Sequence, residues 1–461
     1  MKLNSNLSIV LACCFLLGCQ SASTSQSVDH LLPDESTSQV APTSVEANLN
    51  PQDAQSWSPE EGVDALLSRA IVQSPTVRQA YQAWQVALQR VPQVSALPDP
   101  WLSLTGYVQS VETRSGPMDA RIGYTQKLPW PGKLDAAGDL ASAQAEVARN
   151  QIEVARLGIR RLFLRNWAER VYLRKAEEIT AAQVALLEHI EEVSLRLYES
   201  SRVPQADVLR AQVERLEMVD RLDTMVQNGV TVVSVLESAL GAPIDSATSW
   251  ETIEFYPFPQ LANESVLQQR LMTSAPIMQQ LQARLLVSQQ AQQVADFESK
   301  PDWSIGADWT WIGNGNVTLP DAGDDAVSLS LAVELPLGRG RIDGARRQAL
   351  ASRRFVVAQI EDHQWKLLSE LQQALSAYED ALRRIDLFEQ RMLPLSLQTY
   401  ETTLAAYQSG QAGFQDMLDA ARVMLEFRLS SARASADAAL AIADLHGLLT
   451  EELLLAENLE R

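Results

Sequence analysis

Two nine-residue runs in the second half of the chain alternate strictly between apolar and polar residues. From Trp303 to Trp311 one face reads Trp303, Ile305, Ala307, Trp309 and Trp311, the other Ser304, Gly306, Asp308 and Thr310. From Val327 to Leu335 the faces read Val327, Leu329, Leu331, Val333 and Leu335 against Ser328, Ser330, Ala332 and Glu334. A period of two predicts β-strands with unlike faces. The length suits a membrane-spanning strand, and a half-buried strand of a soluble sheet shows the same alternation. Residues 101–109 and 121–128 form a weaker pair in the first half. Trp101, Trp303, Trp309 and Trp311 lie near strand ends, as in an interfacial aromatic girdle. Residues 110–119 and 313–326 carry Ser-Gly-Pro and Gly-Asn-Gly-Asn turn signals, the second with Asp321, Asp324 and Asp325, and are expected to be the loops of the two pairs.

Beyond each strand pair the period becomes helical. Lys133 to about Ser200 contains no proline and only Gly138 and Gly158, which predicts a helix on the order of 100 Å long. Its counterpart runs from Arg341 to about Ser409 with the stripe Leu367, Leu371, Ala374, Tyr378, Leu382 and Ile385. Pro394 is expected to kink or split it. A return helix follows each long one; in the first copy Leu209, Val213, Leu216, Val219, Leu222 and Val226 mark its expected buried face. Such rods pack as antiparallel hairpins. A shorter helix precedes each strand pair. The first begins at Ser58-Pro59-Glu60-Glu61, a capping serine with proline at the first helical position and glutamate three residues after the cap. Val63, Leu67, Ala70, Ile71, Tyr81, Trp84 and Leu88 share its face, and Pro92 and Pro98 are expected to end it. Pro129-Trp130-Pro131-Gly132 and Pro336-Leu337-Gly338 stand where strand gives way to long helix.

The halves carry matching landmarks. Ser74-Pro75 answers Ala275-Pro276, Pro98-Asp99 answers Pro301-Asp302, Leu128-Pro129 answers Leu335-Pro336, Lys133-Leu134-Asp135 answers Arg341-Ile342-Asp343, and Tyr198, Asp207 and Leu209 answer Tyr407, Asp416 and Leu418. Offsets of 201, 203, 207, 208 and 209 residues, always in that order, describe a tandem duplication with small insertions. Each unit is far longer than a solenoid repeat of about 20–50 residues. The expected organisation is a first repeat at 58–262, a second at 263–450 and a tail at 451–461.

The N-terminus changes the picture of where this body sits. Lys2 and the apolar stretch Leu7 to Gly18 read as a secretory signal, too short to span a hydrocarbon core of about 30 Å. Leu16-Leu17-Gly18-Cys19 resembles the lipobox of bacterial lipoproteins, which makes Cys19 the candidate lipidation site; an ordinary signal peptide with an incidental cysteine is the alternative. Residues 1–18 are then the signal and 19–57 a lipidated Ser, Thr, Gln and Pro-rich tether. Cys13, Cys14 and Cys19 are the only cysteines, which leaves the mature chain no disulfide or thiolate metal site. A net charge of −20 argues against nucleic acid as a partner. The histidines His30, His189, His363 and His446 are scattered, the methionines do not cluster, and no hydrolase or phosphate-loop motif occurs, so no catalytic residue, metal site or cofactor is expected.

The repeated strand-pair and helical-hairpin plan, the junction Leu128-Pro129-Trp130-Pro131-Gly132-Lys133 and two tip motifs resemble the TolC-like outer-membrane efflux proteins, over residues about 57 to 450. The junction and the lipobox look most like the outer-membrane factors of heavy-metal cation efflux systems. The resemblance implies a mainly α fold with a β-barrel part: a homotrimer in which each chain gives four transmembrane strands to one twelve-stranded barrel and its long antiparallel α-helical hairpins to one periplasmic α-barrel. It implies an outer-membrane location in a Gram-negative bacterium, contact with lipid, a periplasmic adaptor (membrane fusion protein) and an inner-membrane pump of the RND type that supplies the energy. The function implied is a passive exit duct for heavy-metal cations. The duct of a drug-efflux or type I secretion system, and a non-channel periplasmic coiled-coil lipoprotein, are the alternatives.

The tip motifs are Tyr407-Gln408-Ser409-Gly410 and Asp416-Met417-Leu418-Asp419-Ala420, against the family's Tyr-x-x-Gly and Asp-Val-Leu-Asp-Ala. The match implies that Asp416 and Asp419 ring the periplasmic entrance; acids at a helix start are also ordinary. It implies that Tyr407, Asp207 and Arg202 belong to the gate network, and that Ser201, Pro204, Gly410 and Gly413 form the tip turns that meet the adaptor. The sequence departs from the pattern at Ser201, the counterpart of Gly410, and at Gln411 and Ala412, where relatives place a gate arginine. The closing network is therefore expected to be rewired.

Overall fold

The computed structural model describes residues 57–244, 250, 253–314, 320 and 322–454. The signal segment, Cys19, the tether up to Trp57, and Asp321 lie outside the described residues. Helices α1 (Val63–Gln73) and α2 (Pro75–Ser95) lead to strands β1 (Trp101–Thr113) and β2 (Gly116–Leu128), then to α3 (Lys133–Glu199) and α4 (Gln205–Leu240). The second half repeats the order: α5 (Glu264–Ser274), α6 (Pro276–Phe297), β3 (Asp302–Ile312), β4 (Ala326–Glu334), α7 (Arg339–Leu387), α8 (Leu393–Gln408) and α9 (Phe414–Leu448), with a last turn α10 (Glu451–Leu454).

The long helix is there: α3 has 67 residues, about 100 Å at 1.5 Å each. In the second repeat Pro394 splits the rod as expected. It stands at the start of α8, directly after a π-helical turn at Phe388–Met392 that absorbs the interrupted hydrogen-bond ladder. Two expectations for the first helix fail. The Ser58 capping box forms, but it caps only a 3-10 turn, and Ser74-Pro75 breaks the helix into α1 and α2. Pro92 does not end α2; it sits in the last turn, where the helix runs three residues further to Ser95.

Two cores follow the duplication. Leu66, Ala70, Val77 and Ala80 are buried in the first; Leu267, Leu271, Met278 and Leu281 fill the same places 201 residues later in the second. A third cluster at the tip joins both repeats, with Leu187, Ile190 and Ala211 against Tyr407, Phe414, Met417 and Leu418.

The four strands form one antiparallel sheet in the order β1-β2-β3-β4. Register sorts them into two unlike faces. Leu104 pairs with Ile122, Ile122 with Trp309, and Trp309 with Val327; Tyr124 pairs with Ala307, and Ala307 with Leu329. The other face aligns Thr105, Arg121, Thr310, Asp308, Ser328, Ser330 and Glu334. The apolar face is left uncovered: Leu329 is 84% exposed and Leu104 76%. On the polar face Asp302 and Thr310 are buried, while Arg121, Ser328, Ser330 and Glu334 are exposed. Across the polar face Arg121 pairs with Asp308 at 2.8 Å and Lys127 with Glu334 at 2.5 Å. Lys133, one residue into the strand-to-helix turn of Gly132 (φ 83°), reaches Asp302 at 2.9 Å and fixes the start of α3 to the start of β3.

The helices form two further rows. Next to the sheet the packing order is α2-α3-α6-α7; towards the tip it is α4-α3-α9-α8. In every row the first repeat supplies one end and the second repeat the other. The ends are bare. The expected buried face of α4 is the clearest correction: Leu209, Val213, Leu216 and Val226 are exposed, and α4 turns Val208, Ala211, Glu214 and Gly229 inward instead. At the opposite end of that row α8 exposes Leu395 and Leu397.

Candidate functional site

The tip is where helix ends from both repeats meet. Helix α3 closes with Ser201 N–H donating to the Tyr198 carbonyl and Arg202 N–H to the Leu197 carbonyl, each at 2.8 Å. Helix α8 closes identically, Gly410 N–H to Tyr407 at 3.0 Å and Gln411 N–H to Ala406 at 2.8 Å. These bonds satisfy the last carbonyls of each rod and require a left-handed residue at the turn. Pro204 and Gly413 then lead into α4 and α9. Ser201, Arg202, Pro204, Gly410 and Gly413 are all exposed.

Tyr407 is buried in the tip cluster. Its hydroxyl lies 3.2 Å from Ser194 Oγ, and its ring meets Phe414 edge-on at 5.9 Å. Burial pushes its pKa above the ordinary tyrosine value, with nearby Asp207 adding to the rise. Its first-repeat counterpart Tyr198 is exposed. Asp207 is itself buried in the first turn of α4, where the helix dipole favours an acid, and lies 3.7 Å from Arg210. Arg202 is exposed and forms no ion pair among the described residues, so the structure does not bring it to Tyr407 or Asp207.

Asp416 and Asp419 are exposed one turn apart on α9. Asp416 Oδ2 accepts from Gly413 N–H at 3.1 Å, so this acid also caps its helix. Asp419 accepts from Gln415 at 3.1 Å and lies 3.7 Å from Arg422. Both line a shallow groove of about 500 Å³ between α8 and α9, with Leu395, Thr399, Val423 and Phe427 along its walls.

Sequence reasoning missed a cross-repeat link close to the tip. Arg422 of α9 makes a bidentate pair with buried Glu214 of α4, Nε to Oε1 at 2.8 Å. The pair raises the Arg422 pKa. A second link ties the first hairpin together: Glu191 accepts from Gln212 and from Arg215, each at 2.9 Å, and these bonds hold its carboxyl below the usual range. The signal for the first link was present. Arg422 follows Glu214 by 208 residues, within one residue of the repeat offset at the tip, and their charges are opposite.

At the sheet, Trp303 and Trp311 of β3 bracket the apolar face about 27 Å apart along the strand, near the ~25 Å band of membrane barrels. Trp309 belongs to the same face, and its indole donates to Asp325 at 3.1 Å. Trp101 does not belong to it. Its partner Thr125 pairs with Gly306, which puts Trp101 on the polar face.

No protein-family model matches the chain, and no curated protein matches it. Solved structures do. The outer membrane protein VceC from Vibrio cholerae superposes with a TM-score of 0.68 at 21% identity, over 84% of this chain and 95% of that one. The CmeC outer membrane channel of Campylobacter jejuni gives 0.69 at 15%, over 89% and 90%. CusC, described in terms of transmembrane channel formation, gives 0.69 at 14%, over 90% and 97%. The chain has the fold of outer-membrane channels.

Proposed function

We propose that this chain is one subunit of a homotrimeric outer-membrane channel, the passive exit duct of a tripartite efflux system. One observation carries the reading: the sheet leaves an apolar face with Leu104, Ile305, Leu329 and Leu331 uncovered and gathers its charged residues on the other face, whereas a strand packed in a soluble domain buries its apolar face. Each row of elements ends in a bare member of one repeat and begins with a bare member of the other. Such edges favour head-to-tail closure into a ring, which removes unpaired strand edges and covers the apolar stripe of α4. Three chains make a twelve-stranded barrel, a size that leaves a lumen.

In this reading Cys19 carries the lipid anchor, Trp303, Trp309 and Trp311 sit at the membrane boundaries, and the tips meet the periplasmic adaptor that links the duct to a pump of the RND type. Asp416 and Asp419 of three subunits present six carboxylates at the narrow end, which attract cations. The Arg422–Glu214 pair takes the place of the arginine absent at Gln411 and Ala412 in holding the second hairpin against the first. Heavy-metal cations are the substrate class favoured by the Leu128–Lys133 junction and the tip acids; drug-efflux and type I secretion ducts share the same body. Purification from membranes tests the duct: a heat-resistant trimer that conducts in planar bilayers is expected, and a soluble monomer overturns it. Metal sensitivity of a deletion strain, without drug sensitivity, is the result expected for the substrate class, and drug sensitivity alone contradicts it.

A further inference from the structure

The first four turns of α7 reverse the charge of the molecule. Between Arg339 and Arg354 the chain carries six arginines and one acid, Asp343, against a net charge of −20 overall. Two of the six are consumed: Arg341 pairs with Glu298 at 2.6 Å and Arg346 with Asp296 at 2.9 Å. Arg339, Arg347, Arg353 and Arg354 are exposed and make no ion pair among the described residues.

The helix that faces them in a closed ring carries no acid. Helix α7 is the end of its row, and the element that meets it in a closed ring is α2 of the next copy. Helix α2 has two arginines, Arg78 and Arg90, and no aspartate or glutamate. Their position points elsewhere. The apolar face of β4 continues through exposed Leu335 and Leu337, and Arg339 follows two residues later. A headgroup layer is about 6 Å deep on each side of the hydrocarbon. Arg347 lies about 12 Å further along the helix, and side chains on a helix lean towards its N-terminus, here towards the sheet. Arg353 and Arg354 are about 21 Å away, beyond a Debye length of about 8 Å.

We propose that Arg339 and Arg347 form a binding site for the phosphates of anionic phospholipids, a collar at the foot of the barrel that grips the inner leaflet. Guanidinium suits this ligand because it is weakly hydrated and binds phosphate in a fork. The inference rests on the membrane reading given above and adds a lipid class to it.

The test reconstitutes the full-length protein into phosphatidylcholine vesicles containing one quarter phosphatidylglycerol, re-extracts it in mild detergent and measures the lipid retained. Wild type is expected to hold phosphatidylglycerol above its share, about five-fold for each contacting arginine. Arg339→Gln with Arg347→Gln returns the ratio to that of the bulk, and Arg339→Lys with Arg347→Lys restores most of it. Arg353→Gln with Arg354→Gln changes it less than about two-fold. A wild-type ratio equal to the bulk, or an unchanged ratio in the first glutamine pair, overturns the collar alone. Protein that does not float with the vesicles overturns the membrane reading and the collar with it.

Discussion

Ser201 and Gly410 occupy the same turn 209 residues apart, both left-handed, at φ 58° and φ 77°. Ser201 is the only non-glycine residue with positive φ among the described residues. The first tip thus holds a serine where the geometry favours glycine, at a cost of about 1 kcal/mol. Ser201→Gly is expected to tighten the α3–α4 turn, and Gly410→Ala to loosen the α8–α9 turn by a similar amount. Nothing lies within 4 Å of a Cβ at Gly410, so backbone strain alone is at issue. Amide hydrogen exchange at residues 197–203 and 406–412 reads both changes; protection that moves the other way in either variant contradicts the assignment.

The acids of the second tip do two things that one substitution can separate. Asp416→Asn with Asp419→Asn removes two charges per chain and keeps an oxygen for Gly413 N–H, whereas Asp416→Ala also loses a cap worth about 1 kcal/mol. In planar bilayers the asparagine pair is expected to weaken cation preference and cation block at unchanged oligomer stability. Single-channel behaviour identical to wild type refutes the ring of acids.

His446 sets an acid limit. It is buried on α9 edge-on to Tyr256 at 5.5 Å, neither ring nitrogen has a hydrogen-bond partner among the described residues, and burial with nearby Arg160 lowers its pKa to about 4. The unfolded chain, with an ordinary histidine pKa near 6.5, binds the proton more readily. Stability is therefore full above about pH 6.5 and falls as pH drops towards 4, by roughly 3 kcal/mol. His446→Phe is expected to flatten thermal stability between pH 7 and pH 4.5; an unchanged slope places the acid sensitivity elsewhere.

Much of this body was legible beforehand. Alternation at Trp303–Trp311 and Val327–Leu335 gave two strands within a residue of their ends, and the proline-free run after Lys133 gave α3. Of the stripe Leu367, Leu371, Ala374, Tyr378, Leu382 and Ile385, the first four are buried where periodicity put them, Ile385 is partly buried and Leu382 is exposed. The same logic misplaced Leu209, Val213 and Leu216. An apolar stripe states that a face will be covered, but not whether by its own chain or another, and on α4 the answer is not its own chain. Trp101 was misjudged because a tryptophan near a strand end does not reveal its face until register is known. Tyr198 and Tyr407 are sequence equivalents in opposite environments, because the second hairpin packs on the first at one and not the other. Ser201 could not be recognised as left-handed, since serine carries no mark of it.

Adjacent positions on β4 test which side meets lipid. Leu329 belongs to the apolar face opposite Ala307, and Ser330 to the polar face opposite Gly306. Leu329→Lys is expected to cost about 2–4 kcal/mol of folding into vesicles and Ser330→Lys far less. Heat-modifiability on gels after vesicle folding measures both, and equal losses contradict the assignment of faces.

Ring closure itself is tested by joining the two bare ends of the tip row. Leu216 of α4 and Leu395 of α8 stand at similar heights above their turns, about 17 and 20 Å by helical rise. Leu216→Cys and Leu395→Cys in one chain, treated with a short bismaleimide in intact membranes and compared with each single variant, give the decisive pattern. Head-to-tail closure predicts covalent dimers and trimers and nothing larger. Monomer alone, or a ladder that continues past three, contradicts it.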